Sequence, residues 1–272
     1  NVILNLFFVI VCKMAADGVA LATILSQYTS AVLVLRVLLR TQEDYRLELK
    51  NFVFSWEKAQ RILALGITSG LQHAIFAMAN LFIQSAVNTF SAAVVEGNSA
   101  AANADSLVYE VMAAPYTACS TFISQNYGAH NKERIQKAYR VSLVYSFGVG
   151  AVLGLALMFF GGGFLRIFTP DPEVIAAGME KLHIMGWSYA FSAFMDNSLA
   201  ASRGLGKSAV PVAIVILGSC VFRVIWVYTI FAHFHTIPSL YLLYIFSWTI
   251  TAAAEILYFI RCCRRLHTAQ TA

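Results

Sequence analysis

SAVPVAIVILGSCVFRVIWVYTIF (208–231) holds one charged residue, Arg223, and no acid. A helix crossing a hydrocarbon layer needs about 20 predominantly apolar residues, and this run has that length. Comparable stretches lie at about 1–12, 17–40, 61–90, 100–126, 137–165, 180–203 and 237–262. Over the whole chain of 272 residues, 59% are hydrophobic and 12% charged, against roughly 45–50% and about 25% in a soluble domain. A core of this size cannot hide that much apolar surface, so lipid is the solvent the composition fits. Helices are expected throughout, because an open sheet in lipid leaves backbone groups unpaired and the alternation of a membrane barrel is absent. The reading is an all-α, polytopic membrane protein with eight transmembrane helices.

The net charge of +5 raises nucleic acid as a partner, and the placement of the basic residues argues against it. They fall between the apolar runs, on alternate sides. Arg40, Arg46, Lys50, Lys58 and Arg61 lie in one connection, Lys132, Arg134, Lys137 and Arg140 in another, then Arg203 with Lys207, and finally Arg261, Arg264 and Arg265. The intervening connections hold Lys13, Arg166 and Lys181. By the positive-inside rule the first set is cytoplasmic, which puts the C-terminus there as well. The expected location is a cell membrane (inner or plasma), with the lipid bilayer as partner and no nucleic acid. The five cysteines are odd in number and scattered, so no disulfide framework is expected.

Asn1 opens the chain inside an apolar run without a basic lead, unlike a signal peptide and unlike a natural start. The chain therefore reads as cut from a longer one. SQYTSAVLVLRVLLR (26–40) can be laid against SWTITAAAEILYFIR (247–261), with Ser26/Ser247, Ala31/Ala252 and Arg40/Arg261 coinciding. Parallel repeats are a transporter habit. The expected organisation is 1–40 as the truncated end of one lobe, 41–60 as a cytoplasmic linker, 61–265 as a complete six-helix lobe, and 266–272 as a cytoplasmic tail.

Five segments resemble the bacterial multidrug and toxic compound extrusion (MATE) family. GITSGLQHAIFAMANLFIQSAVNTF (66–90) is similar to its seventh helix, with Thr68 where many members carry Pro, and FISQNYGAHNKERI (122–135) to its Gln-Asn-x-Gly-Ala turn after the eighth. SRGLGKSAVP (202–211) resembles the turn between the tenth and eleventh, and NVILNLFF (1–8) with GVALATILSQ (18–27) the fifth and sixth helices. The resemblance covers nearly the whole chain in order. It implies helices five to twelve of a twelve-helix, two-lobe transporter that exports organic, often cationic, compounds against Na⁺ or H⁺, functioning as a monomer when full length. In members with a cation site in the first lobe, the fifth helix supplies Asn-x-x-x-Asp, the sixth a Thr and the first another Asp. The matching positions here read Asn1, Asn5 and Thr23, so one carboxylate has become an amide and the first-helix Asp has no counterpart in this chain. A weak cation site and a simple hydrogen-bonded cluster are both open.

Polar groups inside the apolar runs mark the other candidates. Asn80, Gln84 and Asn88 recur every four residues and share one helix face, with Gln72 two turns earlier and rotated some 80°. They line a substrate cavity or make interhelical hydrogen bonds. Ionisable groups in the layer cost roughly 2.5–3.5 kcal/mol at a helix centre, so each needs a partner or a wet cavity. Glu110 lies nearest a helix middle, and Asp196 sits two turns from Arg203, as a local ion pair or a coupling acid. Glu110 and Asp196 are the expected coupling groups. Arg223 reads as a counter-charge to one of the acids in the layer, and Asp105, near an outer end, as a headgroup-depth residue. Pro115 kinks the helix beside Glu110.

Several chemistries are set aside. Gly204 and Gly206 precede Lys207 and Ser208, but a phosphate loop needs a first Gly where Ala201 stands. Gly161, Gly162 and Gly163 read as a flexible helix exit. His233 and His235 have no third ligand, so no metal is expected. No catalytic motif is present, which argues against an enzyme, and no cofactor is expected beyond Na⁺ or H⁺ as coupling ion. A lipid-linked precursor flippase is the alternative. It calls for several basic residues in the cavity, where the sequence places Arg223 alone.

Overall fold

The computed structural model of the chain describes residues 1–43, 46–48 and 53–268. Lys50 of the expected linker and positions 269–272 of the expected tail lie outside the described residues. Among the described residues all regular structure is helical. The chain forms two compact units, Asn1–Gln60 and Arg61–Ala272.

The first unit holds α1 (Val2–Val11), whose second half, Phe7–Val11, is wound as a π-helix, and α2 (Ala16–Arg40). Lys13, at φ 53°, turns the chain between them. Gly18 lets α2 start against α1, since a Cβ there would lie 2.7 Å from the Met14 Cβ and 3.1 Å from that of Phe8. Beyond this contact α2 exposes Val32, Leu33, Val34 and Val37, a surface that water would disfavour and lipid accepts.

The second unit comprises α3 (Trp56–Val87) from Arg61 onward, α4 (Ala92–Gly128), α5 (Lys132–Leu165), α6 (Pro172–Met185), α7 (Tyr189–Gly204), α8 (Ala209–Phe234) and α9 (Ile237–Thr268). The turns fall where the sequence supplies turn chemistry. Asn131 caps α5 by accepting from the Arg134 amide at 3.1 Å. Asp171 caps α6 from the Glu173 amide at 2.9 Å, with Pro172 in the first helical turn, where its missing N–H costs nothing. Gly206 takes φ 72° in the α7–α8 turn, a conformation that L side chains disfavour.

Among the described residues five helices are long and apolar enough to cross a membrane: α2, α3, α5, α8 and α9. The other three expected crossings differ in instructive ways. α1 is a short apolar helix. α4 runs for 37 residues, but Glu96, Asp105 and Glu110 dilute its apolar character. The run read as one helix at 180–203 is two, starting at Pro172 and broken after Met185. There the Ser188 hydroxyl donates to the Met185 carbonyl at 2.7 Å, and Gly154 of α5 comes so close that a Cβ on it would overlap the Gly186 carbonyl oxygen. Gly161 to Gly163 do not loosen α5, which stays helical to Leu165. A Cβ at Gly161 would lie 2.9 Å from Leu182 of α6, so this glycine serves close packing.

The core of the second unit is built on small residues. Ala100, Ala101, Ala104 and Val108 of α4 pack with Leu157 of α5, Leu182 and Met185 of α6, and Tyr189 and Ala193 of α7. Where lipid offers no hydrophobic drive, close approach through small side chains and dispersion hold helices together. A second cluster joins the ends of α3 and α8 to the start of α9, through Val87, Trp226, Phe231 and Leu243. A third gathers the opposite ends: Ile123 of α4, Ile135 of α5, Leu205 just after α7 and Phe259 of α9. The segments carrying Lys132, Arg134, Arg203, Lys207, Arg261 and Arg264 thus lie at one end of this unit.

Candidate functional site

The central feature of the second unit is a cavity of about 680 Å³ walled by α3, α4, α6, α7, α8 and α9. Gln72, Phe76, Asn80 and Gln84 of α3 all line it, and the four-residue spacing brings all of them to one wall despite the rotation between Gln72 and Asn80. Gln84 donates to the Asn88 amide oxygen at 2.9 Å and accepts from Asn98 of α4 at 3.3 Å. Tyr241 of α9 in turn donates to Asn98 at 2.9 Å. Asn88 is exposed and does not line the cavity. Gln72, Asn80 and Gln84 thus line the cavity, and Gln84 also links α3 to α4.

The charges are arranged in three groups. Lys181 lies 2.7 Å from Asp105, with side chains 6% and 16% exposed, and the Tyr189 hydroxyl donates to the same carboxylate. Both residues line the cavity, and Lys181 lies within α6 instead of in an outer connection as expected. The break after Met185 makes α6 a separate short helix, and that places Lys181 against α4. Arg203 donates to the buried Gln72 and makes no direct ion pair with Asp196, although its charge acts on that carboxylate. Arg223 is buried, donates from Nε to Ser247 at 3.2 Å, and lies 4.5 Å from the Tyr244 ring centroid and 5.7 Å from that of Phe76. That environment gives a guanidinium cation–π and hydrogen-bond stabilisation without an acid in direct contact.

Asp196 lines the cavity half-buried, with no hydrogen bond and no ion pair to any described residue. Glu110 is exposed and is not among the residues lining the cavity. Glu255 of α9 is a further acid that the sequence reading passed over. It is fully buried, and neither carboxylate oxygen accepts a hydrogen bond; Arg203 is the opposite charge acting on it. Its signal was present, an acid in the apolar run TAAAEILYFI (251–260).

In the first unit, the structure brings Asn1, Asn5 and Thr23 together. Asn5 donates to the Asn1 amide oxygen at 2.5 Å, and Asn1 donates to the Thr23 hydroxyl at 3.4 Å. The Asn5 amide oxygen is buried without a hydrogen-bond partner.

Comparison with known proteins gives this architecture a family. The MatE family profile matches residues 69–229, more than half of the chain. The probable multidrug resistance protein NorM of Thermotoga maritima is 24% identical over 205 residues, covering 75% of this chain and 44% of that protein. The probable multidrug resistance protein YpnP of Bacillus subtilis is 29% identical over 212 residues, covering 75% of this chain and 46% of that one. Among solved structures, a transporter of the MOP superfamily from Pyrococcus furiosus superposes with a TM-score of 0.88 at 20% identity, over 97% of this chain and 60% of that one. A MATE transporter in an outward-facing conformation gives 0.87 at 20% identity, over 98% and 60%. The chain belongs to the MatE family, whose members are membrane transporters and not enzymes. It spans less than half the length of the curated relatives it matches.

Proposed function

We propose that these helices form the second lobe, and the end of the first, of a two-lobe secondary exporter that moves organic, often cationic, compounds out of the cell against Na⁺ or H⁺. The observation carrying the reading is Asp196, an acid without a direct partner in a cavity of about 680 Å³ that also presents aromatic rings. A carboxylate left open in a water-accessible cavity can take a proton, a hard cation or a cationic substrate in turn. The names of the relatives, as probable multidrug resistance proteins, support the same reading.

The flippase alternative is met by the cavity's bases. Lys181 and Arg203 line it as well as Arg223, more basic residues than the sequence reading placed there. Each is already engaged: Lys181 by Asp105, Arg203 by Gln72, and Arg223 by Ser247 and Tyr244. A pyrophosphate headgroup would have to displace all three, so the exporter is the better account. The basic end of the second unit is proposed to be cytoplasmic, and the working protein to be a monomer in the cell membrane. Asn1, Asn5 and Thr23 are proposed as a neutral remnant of a cation site that binds Na⁺ weakly or not at all. The test is uptake of a fluorescent organic cation into vesicles holding the complete two-lobe protein, with Na⁺ and pH gradients imposed separately. Export driven by one gradient supports the reading; export driven by neither refutes it.

A further inference from the structure

A second cavity, of about 690 Å³, lies between α4 and α5 and away from the central one. Ala114, Ala118 and Phe122 of α4 face Ala138, Val141 and Tyr145 of α5 across it. On α4, Ala118 is nine residues from Tyr109 of the central cavity, about two and a half turns, so the two cavities use opposite helix faces. Phe122, Val141 and Tyr145 are exposed along the groove. From Ala114 to Asn126 the groove runs about 18 Å along the helix, close to the roughly 15 Å depth of one leaflet of a hydrocarbon layer about 30 Å thick. At its basic end Arg134 and Lys137 complete the lining together with Asn126; among the described residues no acid lines it, and neither cation makes an ion pair with one of them. The pattern recurs on the other flank of α5, where Arg140 and Arg264 close a groove of about 360 Å³ walled by Ile256, Phe259 and Ile260.

The geometry points to a binding site for one anionic phospholipid of the leaflet on the basic side, its phosphate held by Arg134 and Lys137 and an acyl chain laid along the alanine groove. Length, apolar walls and two unneutralised cations at one end match that amphiphile, and the same cations repel the organic cations proposed for the central cavity. Small residues at Ala114 and Ala118 leave room for a chain that larger side chains would fill.

The test is native mass spectrometry of the chain in detergent with phosphatidylglycerol or phosphatidylcholine of identical chains. The expected result is retention of phosphatidylglycerol over phosphatidylcholine. Arg134→Gln with Lys137→Gln should lower phosphatidylglycerol affinity about 30-fold, since each cation near a headgroup contributes about fivefold, while Arg166→Gln, a cation outside the groove, should leave it unchanged. Ala118→Trp, which fills the groove with both cations intact, should also release the lipid. Equal retention of the two lipids, an unchanged double variant, a loss in Arg166→Gln as large as in the double variant, or full retention by a folded Ala118→Trp variant would each overturn the site.

Discussion

Lys181 and Asp105 form the ion pair whose disruption has the clearest consequence. Both side chains are largely withdrawn from solvent at 2.7 Å, and removing one partner of such a pair leaves a buried charge, costing about 3–5 kcal/mol, while replacing both by apolar groups is often neutral. Lys181→Met alone should therefore lower thermal stability strongly, and Lys181→Met with Asp105→Leu should recover most of it. Two independent losses that simply add would show that the pair is not a unit. This pair was hidden from the sequence. A lysine near the end of an apolar run can extend to the headgroups or fold inward, and the choice rests on an acid far away along the chain. Asp196 and the α3 amides were legible, because polar groups in an apolar run must face protein or water. In the first unit, Asn5→Asp would restore a carboxylate beside Asn1 and Thr23. In the complete transporter that change should strengthen Na⁺ dependence, measured as uptake against Na⁺ concentration; an unchanged dependence would leave the cluster a structural one.

Helices α5 and α6 test the packing account. Gly154 has no room for a methyl group against the Gly186 carbonyl, whereas a Cβ at Gly148 on the same helix meets nothing within 4 Å. Gly154→Ala should cost about 1–3 kcal/mol through forced backbone shifts, and Gly148→Ala should be neutral or slightly stabilising, as read by thermal unfolding in detergent. Equal effects at the two positions would remove the close-approach argument. At this scale most of the helices and the turns near 130 and 205 were legible in the sequence; that Asn131 caps α5 and that Gly206 is left-handed came with the structure. The break after Met185 was not legible, because it is held by contacts that Gly154 makes across the bundle. The sequence showed a long apolar run there and nothing within it strong enough to mark an end.

For the whole molecule, the alternating order of helices places the α7–α8 turn and the α8–α9 turn at opposite ends of the second unit. With the basic end cytoplasmic, Ser208→Cys should resist a membrane-impermeant thiol reagent in intact cells and His233→Cys should react; the reverse pattern would invert the topology. The central claim is that Asp196 couples an ion gradient to export through the cavity it lines. Its most direct test is Asp196→Asn in the complete transporter reconstituted in vesicles, with binding of a fluorescent organic cation and its gradient-driven uptake measured on the same preparation. The amide is nearly the same size and cannot gain or lose the proton, so the folded protein should keep measurable binding while gradient-driven uptake falls at least about tenfold, a loss of about 1.4 kcal/mol of coupling. Uptake by Asp196→Asn at the wild-type rate, with the same dependence on the imposed gradient, would contradict the account.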